Sequence, residues 1–391
     1  MIILFNGEPQ RDATNLESIL ELGDFNLEKF ELEKIDPKVD IALILYSSGT
    51  TGMPKGVLLT HANLRMPFVY MGSDGFESNL SDIYVQVTPC THIIGTMMFG
   101  AVFGYGSTLI FLKKFEPEML LKTIEKYKVN KVMFVPQIIL FLIKTNLLEK
   151  YDISTLTKFY CGGAMLNKDT VDQFLNKMKY CKLQQVYGLT ETTGATIMSP
   201  KDDNTGSIGK IMPNNRCKIV DILTGKAVGP NEIGEICIIG DSICNGYHNR
   251  EDATRELIDD DGFVHTGDVG YYNENELIYV IDRIKDIIKH KGFQVSPAEI
   301  ETVLMLHDSV EDVGAIGIPD QRSGEAPCAF VVLKEGHTVS PEDLISFTKN
   351  YLSSYKIPKQ IIYIDEIPKN QICKNNRKKL LELWKTMNVS K

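Results

Sequence analysis

Short apolar runs, each followed by a stretch with helical spacing, recur through the first two thirds of the chain. This alternation is the strongest constraint on its fold. Ile41-Ala-Leu-Ile-Leu-Tyr46 is a continuous apolar run of strand length, as expected of a strand covered on both faces. A Gly/Ser/Thr loop follows, and Thr60 is placed to cap a helix beginning at His61. Met119, Leu120, Ile124 and Tyr127 form an apolar helical face leading to a buried strand at Lys131-Val-Met-Phe-Val135. Lys158-Phe-Tyr-Cys161, a Gly-Gly turn and a helix near 168–178 repeat the unit. The pattern predicts an α/β fold with a largely parallel sheet. From about residue 206 shorter strands and frequent turns predict a small β-rich subdomain. After Asp282-Arg283 a compact α+β piece follows, with helices near 297–306 and 341–352 and strands near 328–333 and 361–365.

Composition removes several function classes. With 42 basic against 51 acidic residues the 391-residue chain carries a formal charge of -9, which argues against a nucleic-acid binder. Residues 83–112 lack Asp, Glu, Lys and Arg, a length compatible with a membrane span. Pro89, Gln86, His92 and the glycines at 95, 100, 104 and 106 interrupt that stretch, so a strand, a loop and a buried helix are expected there. Met1-Ile-Ile-Leu-Phe-Asn6 has no basic region and too short an apolar run for a signal peptide. None of the eight cysteines forms a C-x-x-C pair, and most lie in apolar strand-like runs, as expected of free thiols in a reducing compartment. The seven histidines show no metal-ligand spacing, and no structural zinc is expected.

The densest chemical signal is Tyr46-Ser-Ser-Gly-Thr-Thr-Gly-Met-Pro-Lys-Gly56. Its glycines permit close backbone approach, its hydroxyls suit phosphate oxygens, and Lys55 adds positive charge. It departs from the Walker A pattern, because no Gly precedes Lys55 and no Ser or Thr follows it.

Taken with later motifs, this loop resembles the phosphate loop of the adenylate-forming superfamily, which includes acyl- and aryl-CoA synthetases, peptide-synthetase adenylation domains and beetle luciferases. The matching motifs occur in that family's order: Gly162-Gly163-Ala164, Tyr187-Gly-Leu-Thr-Glu191, Gly234-Glu235, Gly246-Tyr247, His265-Thr-Gly-Asp268 and Asp282-Arg-Ile-Lys-Asp-Ile-Ile-Lys-His-Lys-Gly292. They span essentially the whole chain, with a texture similar to 4-coumarate–CoA ligases and luciferase-like proteins. The resemblance implies an AMP-binding large domain over 1–284, its β-rich subdomain at about 206–284, and a mobile α+β domain over 285–391. It also implies that a carboxylate attacks the α-phosphate of ATP to give an acyl-adenylate. A thiol, usually that of coenzyme A, then displaces AMP, a sequence that demands positioning and charge neutralisation.

By the same resemblance Ser47, Ser48, Gly49, Thr50, Thr51, Gly52 and Lys55 hold the β- and γ-phosphates. Glu191 places Mg²⁺ beside Thr50 or Thr51. Gly162, Gly163 and Ala164 receive the adenine on one side, and Gln185, Val186, Tyr187 and Thr190 line the other. Asp268 accepts from the ribose diol, and Arg283 bonds ribose or phosphate. His92 orients the substrate carboxylate, and Ile93, Ile94 and Met97, with Met98 and Phe99 beyond, form an apolar acyl pocket. Beetle luciferases carry a small residue after that histidine, so Ile93 favours a fatty or arylalkyl acid over luciferin. Lys374 aligns with the lysine that contacts the carboxylate and α-phosphate, although Ile372-Cys373 stands where the family has Ser/Thr-Gly, and Cys373 enters a positive-φ turn less freely than Gly. Lys285 falls at a hinge about which the small domain rotates between half-reactions. Lys289, Lys291 and Gly292 then face the site in the thioester-forming state, Lys291 and Gly292 near the pantetheine. No Lys or Arg lies between His92 and Lys113, where some relatives place a basic residue for CoA.

The expected function is therefore an ATP-, Mg²⁺- and coenzyme A-dependent ligase of a hydrophobic carboxylic acid, with neither a nucleic-acid partner nor a membrane span. Two alternatives stay open: a luciferase-like adenylase with a different second step, and a catalytically impaired nucleotide-binding isoform. Val389-Ser390-Lys391 is one leucine short of the peroxisomal Ser-Lys-Leu address, which leaves cytoplasm and peroxisome both open. Family members reach their phosphate loop only after a further domain's worth of chain, whereas here it begins near residue 46. Exposed apolar helix faces are expected in consequence.

Overall fold

The computed structural model describes residues 2–4, 13–15, 33–47, 54–163, 166, 168–201, 203, 205–291, 293–320, 322–369 and 375–389. Two compact units are present, Met1–Pro37 and Lys38–Lys391. In the first, β1 (Ile2–Leu4) pairs in parallel with β2 (Ala13–Asn15).

The second unit opens with β3 (Ile41–Ser47) and β4 (Lys55–Thr60), an antiparallel two-stranded ribbon. The expectation of a doubly covered strand at 41–46 is corrected here: Ile44 is 40% and Tyr46 is 67% exposed. Only the other face is buried, where Leu45, Val57 and Leu59 pack with Ile93, Cys244 and Tyr247. An unbroken apolar run records hydrophobicity but not what covers each face, and this ribbon has a partner on one side only. Thr60 caps α1 (His61–Gly72) as its position suggested: its hydroxyl accepts from Asn63 N–H, and the Asn63 side chain accepts from Thr60 N–H. The Asn63 amide also donates to the carbonyls of Asp241 and Ile243, tying the helix start to the β-rich part.

A seven-stranded sheet follows in the order β11-β10-β9-β8-β7-β5-β6. It comprises β5 (Ile83–Gln86), β6 (Thr108–Phe111), β7 (Lys131–Phe134), β8 (Lys158–Gly162), β9 (Lys182–Leu189), β10 (Gly194–Met198) and β11 (Lys210–Ile211). Strands β5 to β9 pair in parallel and the last two antiparallel. The crossovers are α2 (Ile93–Tyr105), α3 (Pro117–Tyr127), α4 (Pro136–Lys144) and α5 (Lys168–Lys177). The charge-free stretch at 83–112 is thus a strand, a loop, a helix and a strand, and among the described residues no helix is long and apolar enough to cross a membrane. Leu120, Ile124, Phe134, Phe159 and Phe174 fill one face of the sheet, and Met66, Tyr70, Met97 and Tyr160 the other.

The β-rich part is a four-stranded antiparallel sheet of β12 (Asn215–Val220), β13 (Gly234–Gly240), β14 (Val264–Tyr272) and β15 (Ile278–Arg283), with α6 (Glu251–Leu257) before β14. Beyond Arg283 come β16 (Ile288–His290), β17 (Phe293–Val295), α7 (Pro297–Met305), β18 (Val310–Asp320), β19 (Gly324–Leu333), α8 (Pro341–Thr348), β20 (Gln360–Tyr363) and α9 (Arg377–Val389). The five strands form one mixed sheet with its own apolar core around Ile300, Leu304 and Val331. The chain is therefore a large α/β part followed by a smaller α+β part. Buried Asp282 joins them, accepting from the Ser296 hydroxyl at 2.6 Å and from Ala298 N–H at 3.1 Å at the start of α7.

Candidate active site

The carboxyl ends of the parallel strands carry the chemistry, as is usual for open α/β sheets. Strand β8 ends at Gly162, where an added Cβ would sit 3.0 Å from the Val186 carbonyl of β9. Gly163 follows with φ +84°, a conformation that favours glycine and turns the chain away from the sheet. Ile94 and Val135 approach to 3.6 Å from the position a Cβ would take there, so the turn rests on an apolar floor. Gln185, expected to line the adenine site, braces this region through both ends of its amide. Its Oε1 accepts from Leu166 N–H and its Nε2 donates to the Ser207 carbonyl. Half-buried Val186 continues the strand to Tyr187.

Asp268 on β14 is buried, with a protein donor on each oxygen: the Tyr187 hydroxyl donates to Oδ2 at 2.7 Å and Arg283 Nε to Oδ1 at 2.7 Å. Antiparallel register places Arg283 directly opposite Asp268. Burial and the Asp268 charge hold the Tyr187 phenol well above its usual range, so it remains a donor. Burial alone would lower the Arg283 value, but the negative groups around it, Asp268 foremost with Tyr187, Asp286 and Glu191, together outweigh it and the guanidinium stays protonated. Each carboxylate oxygen retains a second lone pair, so a fixed acceptor remains for two further hydroxyls. Together with the glycine turn, these residues fit a nucleoside.

Four residues beyond Tyr187, Glu191 anchors a second cluster. Its Oε1 accepts from the Ser47 hydroxyl at 3.0 Å and from the Tyr247 hydroxyl at 2.8 Å. Among the described residues Oε2 has no protein partner. Lys55 Nζ lies 4.6 Å from the centre of the Tyr247 ring. Ser47 and Lys55 are register partners in the β3–β4 ribbon, which pins both ends of the intervening loop. Burial and the Glu191 charge push the Tyr247 phenol upward and keep it a donor. A carboxylate with one unspent oxygen beside hydroxyls and an ammonium fits a hard cation such as Mg²⁺ together with phosphates. Thr190 precedes Glu191 in a short 3-10 turn, accepting from Thr193 N–H.

His92 caps α2, its Nδ1 accepting from Ile94 N–H at 3.2 Å. Burial lowers its pKa, which favours a neutral ring with the proton on Nε2, as the bond at Nδ1 assigns. Ile94 and Met97 pack with Met133 and Tyr160 beneath the glycine turn, whereas Ile93 points the other way into the cluster around Val57 and Tyr247. The three residues expected to share one pocket therefore divide between two cores.

Beyond Arg283, Lys285 is exposed in a turn held by the Ile284 N–H donating to the Gly267 carbonyl. Lys289 and Lys291 are exposed, with their backbone N–H groups on Glu325 Oε2 and the Ser323 carbonyl. Among the described residues no hydrogen bond or ion pair joins either side chain to Asp268 or Glu191. Ser48, Gly49, Thr50, Thr51, Gly52, Ala164, Gly292 and Lys374 lie outside the described residues.

Sequence reasoning missed two supports. Tyr247 was visible only as part of a Gly-Tyr pair, with nothing to indicate Glu191 as its partner. Glu235 likewise appeared only as Gly-Glu, yet its Oε1 accepts from Gly267 N–H at 2.9 Å and its Oε2 lies 2.7 Å from His265 Nδ1. Cys237 Sγ is 3.6 Å from that same nitrogen, so three potential metal ligands gather here that no sequence spacing revealed. Burial raises the Cys237 thiol and both Glu235 oxygens already have partners, so the cluster is a brace behind the Asp268 turn.

Comparison with known proteins agrees with this geometry. The AMP-binding enzyme family matches residues 4–248 and the AMP-binding enzyme C-terminal domain matches 299–374. A luciferin 4-monooxygenase of Nipponoluciola cruciata is 38% identical over 372 residues, covering 92% of this chain and 67% of that protein. A 4-coumarate–CoA ligase-like protein of Arabidopsis thaliana is 36% identical over 388 residues, covering 97% and 68%. The structure of o-succinylbenzoate CoA synthetase from Bacillus subtilis with ATP and magnesium superposes with a TM-score of 0.81 at 28% identity, covering 95% of this chain and 75% of that one. The chain spans about two thirds of the length of the luciferin 4-monooxygenases it matches. The match of the AMP-binding enzyme family over 4–248, its C-terminal domain over 299–374, and relatives 36–38% identical over nearly the whole chain place the chain in the adenylate-forming family of AMP-binding enzymes.

Proposed function

We propose that this protein activates a hydrophobic carboxylic acid with ATP and transfers the acyl group to coenzyme A. The observation that carries this reading is a pair of anchors linked through β9: Asp268 of β14, which accepts from Tyr187 of β9, and Glu191, four residues beyond Tyr187. One suits a ribose and the other the metal-bound phosphates, so the α-phosphate of a bound nucleotide falls between them. Neutral His92 donates from Nε2 to the substrate carboxylate and orients it for in-line attack. Lys55 and Arg283 bring positive charge toward the phosphates, and Lys374 stabilises charge developing on the α-phosphate. Mg²⁺ held at Glu191 supplies charge neutralisation along the triphosphate. Ile94 and Met97 contribute the apolar wall that favours an aliphatic or arylalkyl acid.

The second half-reaction assigns Lys289, Lys291 and Gly292 to the thioester-forming arrangement of the 285–391 domain, with Lys285 at the hinge and the boundary at 284/285. A panel of fatty and arylalkyl acids, assayed for coenzyme A-dependent AMP release, tests the reading. Release with at least one acid, abolished by omitting the thiol, is expected. Acid-dependent AMP formation indifferent to the thiol would instead favour an adenylase, a reading supported by the 38% identity to a luciferin 4-monooxygenase. Replacing Lys374 with Ala is expected to abolish adenylation and to spare thioester formation from supplied acyl-adenylate.

A further inference from the structure

We infer that Tyr247 is a positioning residue for the cation: its hydroxyl and ring together fix which oxygen of Glu191 is offered to the metal and where Lys55 stands. The inference rests on the assignment of Glu191 as the metal anchor. Two donors, the Ser47 and Tyr247 hydroxyls, converge on Oε1 at 3.0 and 2.8 Å. A carboxylate rotates freely about its terminal torsion unless its oxygens are made different, and two hydroxyls on one oxygen do this. Oε1 is thereby committed to Ser47 and Tyr247, which leaves Oε2, without a partner among the described residues, as the oxygen offered to the metal.

The ring performs the second task. Lys55 Nζ sits over its face at 4.6 Å, a cation–π seat that holds the ammonium near the loop end without neutralising it. Tyr247 is itself firmly placed. Its N–H donates to Thr254 Oγ1 at 2.9 Å, it forms a β-bridge with Val57, and the residue is 9% exposed within the Leu45–Val57–Ile93 core. It therefore acts through Glu191 and Lys55 and needs no contact of its own with substrate.

Tyr247→Phe keeps the ring and removes the hydroxyl. Free Mn²⁺ is measured by electron paramagnetic resonance during titration of the protein with a non-hydrolysable ATP analogue, and AMP binding is measured separately by calorimetry. Loss of a hydrogen bond to a charged group predicts about tenfold weaker Mn²⁺ binding, with AMP affinity unchanged within about twofold. Tyr247→Leu, which also removes the cation seat, is expected to weaken the ATP analogue further relative to AMP. Unchanged Mn²⁺ affinity in Tyr247→Phe overturns the inference, as does an equal loss of Mn²⁺ and AMP binding, which marks a merely structural role. If Tyr247→Phe does not fold, Ser47→Ala decides the question through the same oxygen, read against metal-free binding of the analogue because Ser47 also faces the phosphates: weaker Mn²⁺ with AMP and metal-free analogue binding retained supports the inference, and unchanged Mn²⁺, or an equal loss of metal-free analogue binding, overturns it. Wild-type protein that binds neither AMP nor Mn²⁺ with the analogue contradicts the parent reading instead.

Discussion

At the scale of single residues, the site depends on carboxylates whose partners are protein groups before any ligand arrives. Asp268 is the buried partner of Arg283, whose side chain keeps 33% of its surface exposed, so removing it leaves a partly desolvated positive charge without its nearest counter-charge. Asp268→Ala should therefore cost about 3 kcal/mol of unfolding free energy, the low end for a pair that solvent partly screens, as well as AMP binding. Tyr187→Phe, which removes one of the two donors to that carboxylate and leaves the ion pair, should cost about 1.5 kcal/mol. Urea denaturation of the two variants checks the ratio, and equal losses would contradict an ion-paired Asp268. His92 gives the pH dependence. Burial lowers its folded-state pKa, so on acidification the unfolded chain takes up a proton first, near its ordinary value of about 6.5. Stability is then fully present above that value and is lost as pH falls from it toward the lower folded-state value. Replacing His92 with Asn should flatten that part of the stability–pH curve, as followed by denaturation midpoints between about pH 7.5 and about pH 5.5. An unchanged slope would show that the ring is not held neutral by the fold.

At the scale of elements, β14 shows how a strand presents a residue. Glu235 on β13 clamps the strand on either side of Thr266, whose hydroxyl accepts from Asp268 N–H at 3.1 Å. Glu235→Ala should therefore weaken AMP binding about tenfold although residue 235 is not placed against the nucleotide, a loss readable by calorimetry. Unchanged affinity would mean that the antiparallel pairing alone holds the turn. Much of this architecture was legible beforehand. Thr60 capping a helix and the buried run at 131–134 follow from side-chain chemistry and periodicity within a few residues. Ribbon β3–β4 was misread because Ile44 and Tyr46 are apolar yet face outward, and periodicity carries no information about coverage. The site was legible as motifs but not as pairs. Asp268 meets Arg283 only after a register shift between Val269 and Gly270, and Tyr247 reaches Glu191 across 56 residues. Such pairings depend on which strands neighbour each other, which local composition does not encode.

At the scale of the molecule, apolar surface stands out on the sheet edge. Strand β6 is the last in the sheet order, and Phe111 upon it is 50% exposed. Phe103 of α2 is 73% exposed and stacks on Phe99 at 5.8 Å, which in turn lies 6.4 Å from Phe111. An aromatic cluster beside a strand that has no outer neighbour among the described residues favours self-association. Phe103→Ser should reduce concentration-dependent association in sedimentation velocity and leave AMP affinity intact, and association unaffected by the change would move the sticky surface elsewhere. In the function we propose, Asp268 and Glu191 serve one adenylation reaction. The most direct measurement is exchange of labelled pyrophosphate into ATP with the acid panel, because exchange requires reversible formation of the acyl-adenylate and nothing from the second half-reaction. The account predicts acid-dependent exchange that disappears in Glu191→Ala and Asp268→Ala. Absence of exchange with every acid, in protein that binds AMP, would contradict it.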